Sequence, residues 1–73
     1  MLSGVPDIVL PVARKGFNGL MIEFKKPKTG KISQSQADYI ELIVKENWLV
    51  VVSTDAQGAI DVVKNYLGIT KTI

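Results

Sequence analysis

The 73-residue chain contains neither cysteine nor histidine. Without cysteine, the protein has no disulfide, no cysteine-bound zinc and no thiol nucleophile. Without histidine, serine–histidine–aspartate catalysis and the usual transition-metal sites are excluded as well. Any chemistry must therefore use carboxylates, lysine, hydroxyl or amide groups, or a hard cation held by oxygen atoms.

Long hydrophobic runs are also missing. The longest apolar run, from Trp48 to Val52, is far shorter than the roughly 18 residues that cross a membrane. The amino terminus has no basic region and carries Asp7 early, which is unlike a signal peptide. We therefore expect a cytoplasmic protein without membrane contact, forming one small domain over residues 1–73.

Charge is distributed unevenly along the chain. Residues 1–32 hold six basic and two acidic residues, whereas residues 33–73 hold three basic and five acidic ones. A basic half favours an anionic partner such as nucleic acid. A lysine-rich solvated surface would explain the same charge, so composition alone does not decide between them.

Apolar periodicity predicts the element order β-β-α-β-α, an α/β (α+β) fold. The segment Trp48–Ser53 is apolar throughout and is expected to be a buried central strand. Ser33 followed by Gln36 has the spacing of a capping box, which marks a helix start. The predicted elements are strands at 8–12, 19–25 and 48–53, and helices from Ser33 to about Asn47 and from Thr54 or Asp55 to Leu67. The predicted inner face of the first helix comprises Ala37, Ile40, Ile43, Val44 and Asn47.

The register of the first two strands can be argued from burial. One register makes one face of the hairpin wholly apolar, and a slip of one residue would mix acids into that face. The favoured register gathers Asp7, Glu23 and Lys25 on the other face. The apolar face comprises Ile8, Leu10, Val12, Leu20, Ile22 and Phe24.

Asp7 and Glu23 on neighbouring strands can supply oxygen ligands to one divalent cation, with the main-chain carbonyl of Phe24 as a further ligand. Lys25 projects to the same face, where it can orient a water molecule or stabilise developing charge. Each element of this pattern alone is weak, because a Glu-x-Lys pair on a strand is often a solvated ion pair and an aspartate after proline is often a turn residue.

Three ordered motifs resemble the VRR-NUC domain, a branch of the PD-(D/E)XK nuclease superfamily. They are Gly4-Val5-Pro6-Asp7, the strand ending in Glu23-Phe24-Lys25, and Ser33-Gln34-Ser35-Gln36 continuing to Tyr39. The resemblance covers nearly the whole chain and implies a restriction-endonuclease-like core. Family members usually begin with a helix that carries a glutamate before the Gly-x-Pro-Asp segment. This chain has no acid before Asp7, so that helix is expected to be missing.

The resemblance implies a role for each matching residue. Asp7 and Glu23 would hold Mg²⁺ or Mn²⁺ together with the Phe24 carbonyl, and Lys25 would be the catalytic lysine. Gln36 would point into the site, although the capping box already explains a glutamine at this position and both roles are compatible. The basic residues expected to follow DNA phosphates are Arg14, Lys15, Lys26, Lys28 and Lys31.

The leading hypothesis is a Mg²⁺- or Mn²⁺-dependent endonuclease of phage or bacterial origin that cuts branched DNA, such as Holliday junctions. Small stand-alone members of the family resemble dimeric junction-cleaving enzymes, and a dimer would bury surface that so short a chain cannot cover alone. The alternative is a nucleic-acid-binding module with the nuclease fold and an incomplete, inactive site. A third possibility is a small interaction domain in which Glu23 and Lys25 are ordinary surface charges.

Overall fold

The computed structural model describes residues 6–25 and 31–69, and these residues form the predicted β-β-α-β-α order. The strands are somewhat shorter than the apolar runs that predicted them, because the main-chain pairing between strands ends before the apolar residues do. The elements are β1 (Ile8–Leu10), β2 (Leu20–Phe24), α1 (Gln34–Lys45), β3 (Leu49–Ser53) and α2 (Ala56–Leu67).

The sheet of the described residues has the order β1-β2-β3, so β2 is the central strand. The prediction that the third strand is central was wrong: β3 pairs only with β2, in parallel, and lies at an edge. The apolar run was misleading because helices cover both faces of this sheet, which makes an edge strand read as apolar as a central one.

The β1–β2 hairpin has the predicted register, with Ile8 opposite Ile22 and Leu10 opposite Leu20. Its turn carries Lys15 at a φ of 53° and Gly16 at a φ of 84°. Two consecutive left-handed residues match the twist of a tight hairpin, which explains the glycine at the second position. The hairpin therefore places residues 8, 10, 20 and 22 on a common face, as burial requires.

Helix α2 covers that apolar face. Leu20 and Ile22 are fully buried against Ala59 and Tyr66 of α2, and the Tyr66 hydroxyl donates to the Val12 carbonyl at 2.6 Å. The helix has the predicted bounds: Asp55 caps its amino end, and Gly68 ends it in the left-handed conformation. The main core of the described chain thus lies between α2 and the sheet.

Helix α1 lies on the opposite face, where it contacts Glu23 and Lys25 through Gln36. Its predicted inner face was partly wrong, since Ala37, Val44 and Asn47 are exposed. None of the residues of α1 is buried, and the half-buried positions follow the narrower stripe Gln36, Tyr39, Ile40 and Ile43. Asn47 lies beyond the helix at a φ of 64°, and its side-chain amide donates to the Gly16 carbonyl at 2.6 Å.

In the described part of the chain, neither helix has the length and apolar character needed to span a membrane.

Candidate metal centre

The two candidate ligand carboxylates lie opposite each other on neighbouring strands. Extending the observed hairpin register by one residue places Asp7 opposite Glu23. This is a non-hydrogen-bonded position of the antiparallel ladder, where opposite side chains come closest. Asp7 accepts a 2.9 Å hydrogen bond from the Phe24 N–H through Oδ2, which holds its carboxyl group beside β2. The register therefore places Asp7 and Glu23 on the same face of the hairpin.

The two carboxyl groups have opposite electrostatic surroundings. The Phe24 N–H, followed by the Glu23 carboxyl, lowers the pKa of Asp7, which is exposed. Burial raises the pKa of Glu23, and the neighbouring Asp7 raises it further. The Glu23 side chain is only 4% exposed. The carboxylate face is thus less open than the sequence suggested, because α1 covers part of it.

Gln36 connects the helix cap to both charged residues of β2. Its Nε2 donates to Glu23 Oε1 at 2.7 Å, and its Oε1 accepts from Lys25 Nζ at 2.7 Å. The Ser33 main-chain N–H donates to the same Oε1 at 3.0 Å, which completes the capping box. The capping and site contacts that the sequence left as alternatives therefore occur together. The Lys25 and Ser33 donors on Oε1 orient the amide so that its nitrogen faces Glu23.

The carbonyl of Phe24 lies at the end of the hairpin ladder. Continuing the register would pair Phe24 with Pro6, and proline has no N–H to donate. The ladder therefore supplies no hydrogen bond to this carbonyl, and the Phe24 N–H uses Asp7 instead. This role of Pro6 was not predicted from the sequence. The signal was present, because a proline directly before a strand removes one ladder donor.

The predicted basic residues do not all lie beside the carboxylates. Arg14 and Lys15 are in the hairpin turn, at the opposite end of β2 from Glu23. Lys31 is exposed and is close in sequence to the capping residue Ser33, near the site. Lys26 and Lys28 lie outside the described residues. The basic residues thus do not form one cluster around the site.

The described residues contain no group of three or more acidic, histidine or cysteine side chains that could hold a metal. The candidate centre therefore consists of two carboxylates, with the Phe24 carbonyl nearby. Mg²⁺ commonly binds one or two carboxylates and keeps several water ligands, so this oxygen-only donor set fits the ion. Lys25 and Gln36 add hydrogen-bond donors beside it.

Comparison with known proteins gives a consistent family. The family model "VRR-NUC domain" matches residues 1–56. A solved structure described as "VRR_NUC domain protein" superposes with a TM-score of 0.83 and 30% sequence identity. The match covers 97% of this chain and 58% of the solved chain, so this sequence spans little more than half of that protein's length. No curated protein matches the chain significantly. Because the family model covers most of its length and the fold agrees, this chain belongs to the VRR-NUC family of nuclease-type domains.

Proposed function

We propose that the protein is a Mg²⁺- or Mn²⁺-dependent endonuclease that hydrolyses phosphodiester bonds in DNA. The observation that carries this proposal is the Asp7–Glu23 carboxylate pair, with Lys25 held beside it by Gln36. Burying one carboxylate beside a second one costs free energy, because two like charges disfavour joint ionisation. A divalent cation between them would remove this cost.

Asp7, Glu23 and the Phe24 carbonyl are the groups that would hold the metal. When bound, such an ion lowers the pKa of a coordinated water and neutralises charge on a phosphate. The Phe24 N–H keeps Asp7 ionised by donating to its Oδ2, and Oδ1 takes no part in that contact. Gln36 favours the ionised form of Glu23 by donating to its Oε1. This donation offsets part of the rise in the Glu23 pKa that burial and Asp7 cause.

Lys25 is the remaining charged group of the site. Its Nζ lies 2.7 Å from Gln36 Oε1, which fixes the ammonium on the carboxylate face of β2. An ammonium there can hydrogen-bond an attacking water or a phosphate oxygen that gains charge in the transition state. Loss of one such donor typically lowers the rate by about 10²–10³. The Ser33 main-chain N–H supports this arrangement because it donates to the same Gln36 oxygen.

The substrate is proposed to be branched DNA, including four-way junctions, and the active form a homodimer. Cutting two DNA strands at a junction needs two active sites, and a C₂-symmetric dimer supplies one for each strand. Arg14, Lys15, Lys26, Lys28 and Lys31 would contribute sequence-independent phosphate contacts. The position of Arg14 and Lys15 at the opposite end of β2 from the carboxylates agrees with contact along an extended duplex rather than at one nucleotide.

Cleavage assays test this proposal. Linear, flap and four-way DNA should be incubated with Mg²⁺ or Mn²⁺ and with wild-type, Glu23→Ala or Asp61→Ala protein. Asp61 is an exposed carboxylate on α2 and serves as the matched control. We expect metal-dependent products with wild-type and Asp61→Ala, most on four-way DNA, and none with Glu23→Ala. Metal-independent binding to DNA with no cleavage by any of the proteins would favour the inactive binding module instead.

A further inference from the structure

The main-chain groups of β2 point alternately toward its two neighbouring strands. The Gly19 carbonyl accepts from the Leu49 N–H of β3 at 2.9 Å. The Lys25 N–H donates to the Ser53 carbonyl of β3, also at 2.9 Å. Because the direction of these groups reverses at each residue of a strand, Phe24 directs its N–H and its carbonyl toward β1. The Phe24 carbonyl therefore lies where the hairpin ladder would supply its next donor.

Pro6 occupies the position that would supply this donor. Ile8 lies opposite Ile22, and continuing this register by two residues places Pro6 opposite Phe24. In an antiparallel ladder the two residues of such a pair exchange both N–H···O bonds. Proline has no N–H, so the bond to the Phe24 carbonyl cannot form. Pro6 is buried, so packing as well as register holds its ring at the end of β1.

Asp7 replaces the other bond of the missing pair. The Phe24 N–H donates to Asp7 Oδ2 at 2.9 Å rather than to the main chain of Pro6. Among the described residues, no N–H or O–H donates to the Phe24 carbonyl. The adjacent residues Pro6 and Asp7 thus leave this carbonyl oxygen without a ladder partner beside a carboxylate, where the candidate metal centre needs further oxygen ligands.

We propose that Pro6 is a positioning residue for the metal: because it withholds a ladder donor, the Phe24 carbonyl stays available as the third oxygen ligand. This inference rests on the proposed metal centre and adds to it a residue whose own side chain takes no part in coordination. A carbonyl oxygen has two lone pairs, and a donor at position 6 would occupy the one directed at β1. Mutating the partners of metal ligands typically changes metal affinity by about 10–100-fold.

Three altered forms of the chain separate the missing N–H from the proline ring. Pro6→Ala introduces an N–H, whereas N-methylalanine at position 6, placed by chemical synthesis, removes the ring and still has no N–H. Pro11→Ala is the control, because it replaces the proline that follows β1 at the hairpin end. Titration calorimetry with Mn²⁺ should give a dissociation constant about tenfold higher for Pro6→Ala than for wild-type. The N-methylalanine protein and Pro11→Ala should bind Mn²⁺ as the wild-type protein does.

Two spectroscopic measurements keep the test decisive if Pro6→Ala is too unstable to titrate. In the wild-type and N-methylalanine proteins, the nuclear magnetic resonance signal of the Phe24 carbonyl carbon should shift when Mg²⁺ is added. Where Pro6→Ala folds, the amide that it introduces should exchange hydrogen slowly, because it forms the ladder bond to Phe24, and Mg²⁺ should shift the carbonyl signal less.

The outcomes distinguish this inference from the proposed function. An unchanged Mn²⁺ affinity in Pro6→Ala, an equal loss with N-methylalanine, or a Phe24 carbonyl signal that does not respond to bound Mg²⁺ would overturn the inference alone. A wild-type protein that binds neither Mn²⁺ nor Mg²⁺ would refute both. Cleavage is scored separately, so the expected affinities in a protein that never cuts DNA would support the role of Pro6 and refute only the nuclease activity.

Discussion

Gln36 Nε2 donates to Glu23 Oε1 across 2.7 Å, and this contact ties the start of α1 to the centre of the sheet. The same side chain accepts from Lys25 and from the Ser33 main chain through Oε1. One amide therefore fixes both a candidate metal ligand and the candidate catalytic lysine. The helix cap and the site are consequently parts of the same hydrogen-bond network.

Replacing Gln36 with alanine should lower the rate of cleavage as well as the stability of the fold. The change removes a hydrogen bond to each of two charged groups, and such bonds contribute about 1.5–3 kcal/mol each. We expect kcat to fall by roughly tenfold to a hundredfold. Gln34→Ala is the matched control, because Gln34 lies in the same helical turn and bonds only Asp38 among the contacts described. Equal rates for both variants and wild-type would contradict a positioning role for Gln36.

Gln36→Glu distinguishes positioning from simple capping. Glutamate keeps an oxygen for Lys25 and for the Ser33 N–H, so the cap should survive. It replaces the donor to Glu23 with a second acceptor and, when ionised, with a like charge, which disfavours ionisation of Glu23. The pH–rate profile should then move to higher pH on its acidic limb. An unchanged profile would mean that Gln36 acts only on helix stability.

Glu23→Gln should stabilise the protein at neutral pH while abolishing activity. Burial and Asp7 raise the pKa of Glu23 above its ordinary value of 4.5. At pH values between the ordinary and the raised pKa, the folded state therefore binds more protons than the unfolded state. Wild-type stability should therefore increase as the pH falls from neutral through the raised pKa. Glutamine carries no charge to desolvate, so the variant should lose this dependence.

Thermal unfolding between pH 7 and pH 5 provides the measurement for Glu23→Gln. A gain on the order of 1 kcal/mol would raise Tm by roughly 4–8 °C in a domain of this size. Asp7→Asn should behave in the opposite way, because the lowered pKa of Asp7 contributes stability above its ordinary value of 3.8 that is lost as the pH falls further. A Glu23→Gln protein that is less stable than wild-type at pH 7 would show that Glu23 is a structural hydrogen-bonding group.

The hairpin turn should contribute affinity for DNA without affecting turnover. Arg14→Gln combined with Lys15→Asn removes two charges, and asparagine tolerates the left-handed φ of 53° that Lys15 adopts. We expect the salt dependence of binding to flatten by about one unit of slope per lost phosphate contact. Lys64→Gln on α2, at the opposite face of the sheet, should leave the slope unchanged. If the double variant in the turn and the Lys64→Gln control both show the wild-type salt dependence of binding, the turn makes no DNA contact.

Much of the fold could be predicted from the sequence because local rules and burial agree. The hairpin register followed from keeping acids off one face, and the helix starts followed from Ser33 and from the Thr54–Asp55 pair, of which Asp55 is the cap. The edge position of β3 could not be predicted, since an apolar run does not specify how many strands pair with it. The need for glycine at position 19 could not be predicted either. A side chain there would overlap the Trp48 ring, and this contact joins distant parts of the chain.

The candidate site was also predictable in part. Asp7, Glu23, Lys25 and Gln36 meet because strand parity and the capping spacing place them on one side of the sheet. The burial of Glu23 was not predictable, because it depends on where α1 packs. The position of Arg14 in the hairpin turn was predictable, since the loop that joins two strands lies at their connected end.

The central claim is that Asp7 and Glu23 together hold a divalent cation. Calorimetric titration of Mn²⁺ tests it most directly, using wild-type protein, Asp7→Asn, Glu23→Gln and the control Asp61→Asn, with circular dichroism to confirm folding. Asparagine at position 7 still accepts from the Phe24 N–H, so the variant loses charge without losing that bond. Wild-type and Asp61→Asn should bind Mn²⁺ equally, and the two site variants should bind at least tenfold more weakly. Equal binding by all four proteins, or no binding by the wild-type protein, would contradict the account.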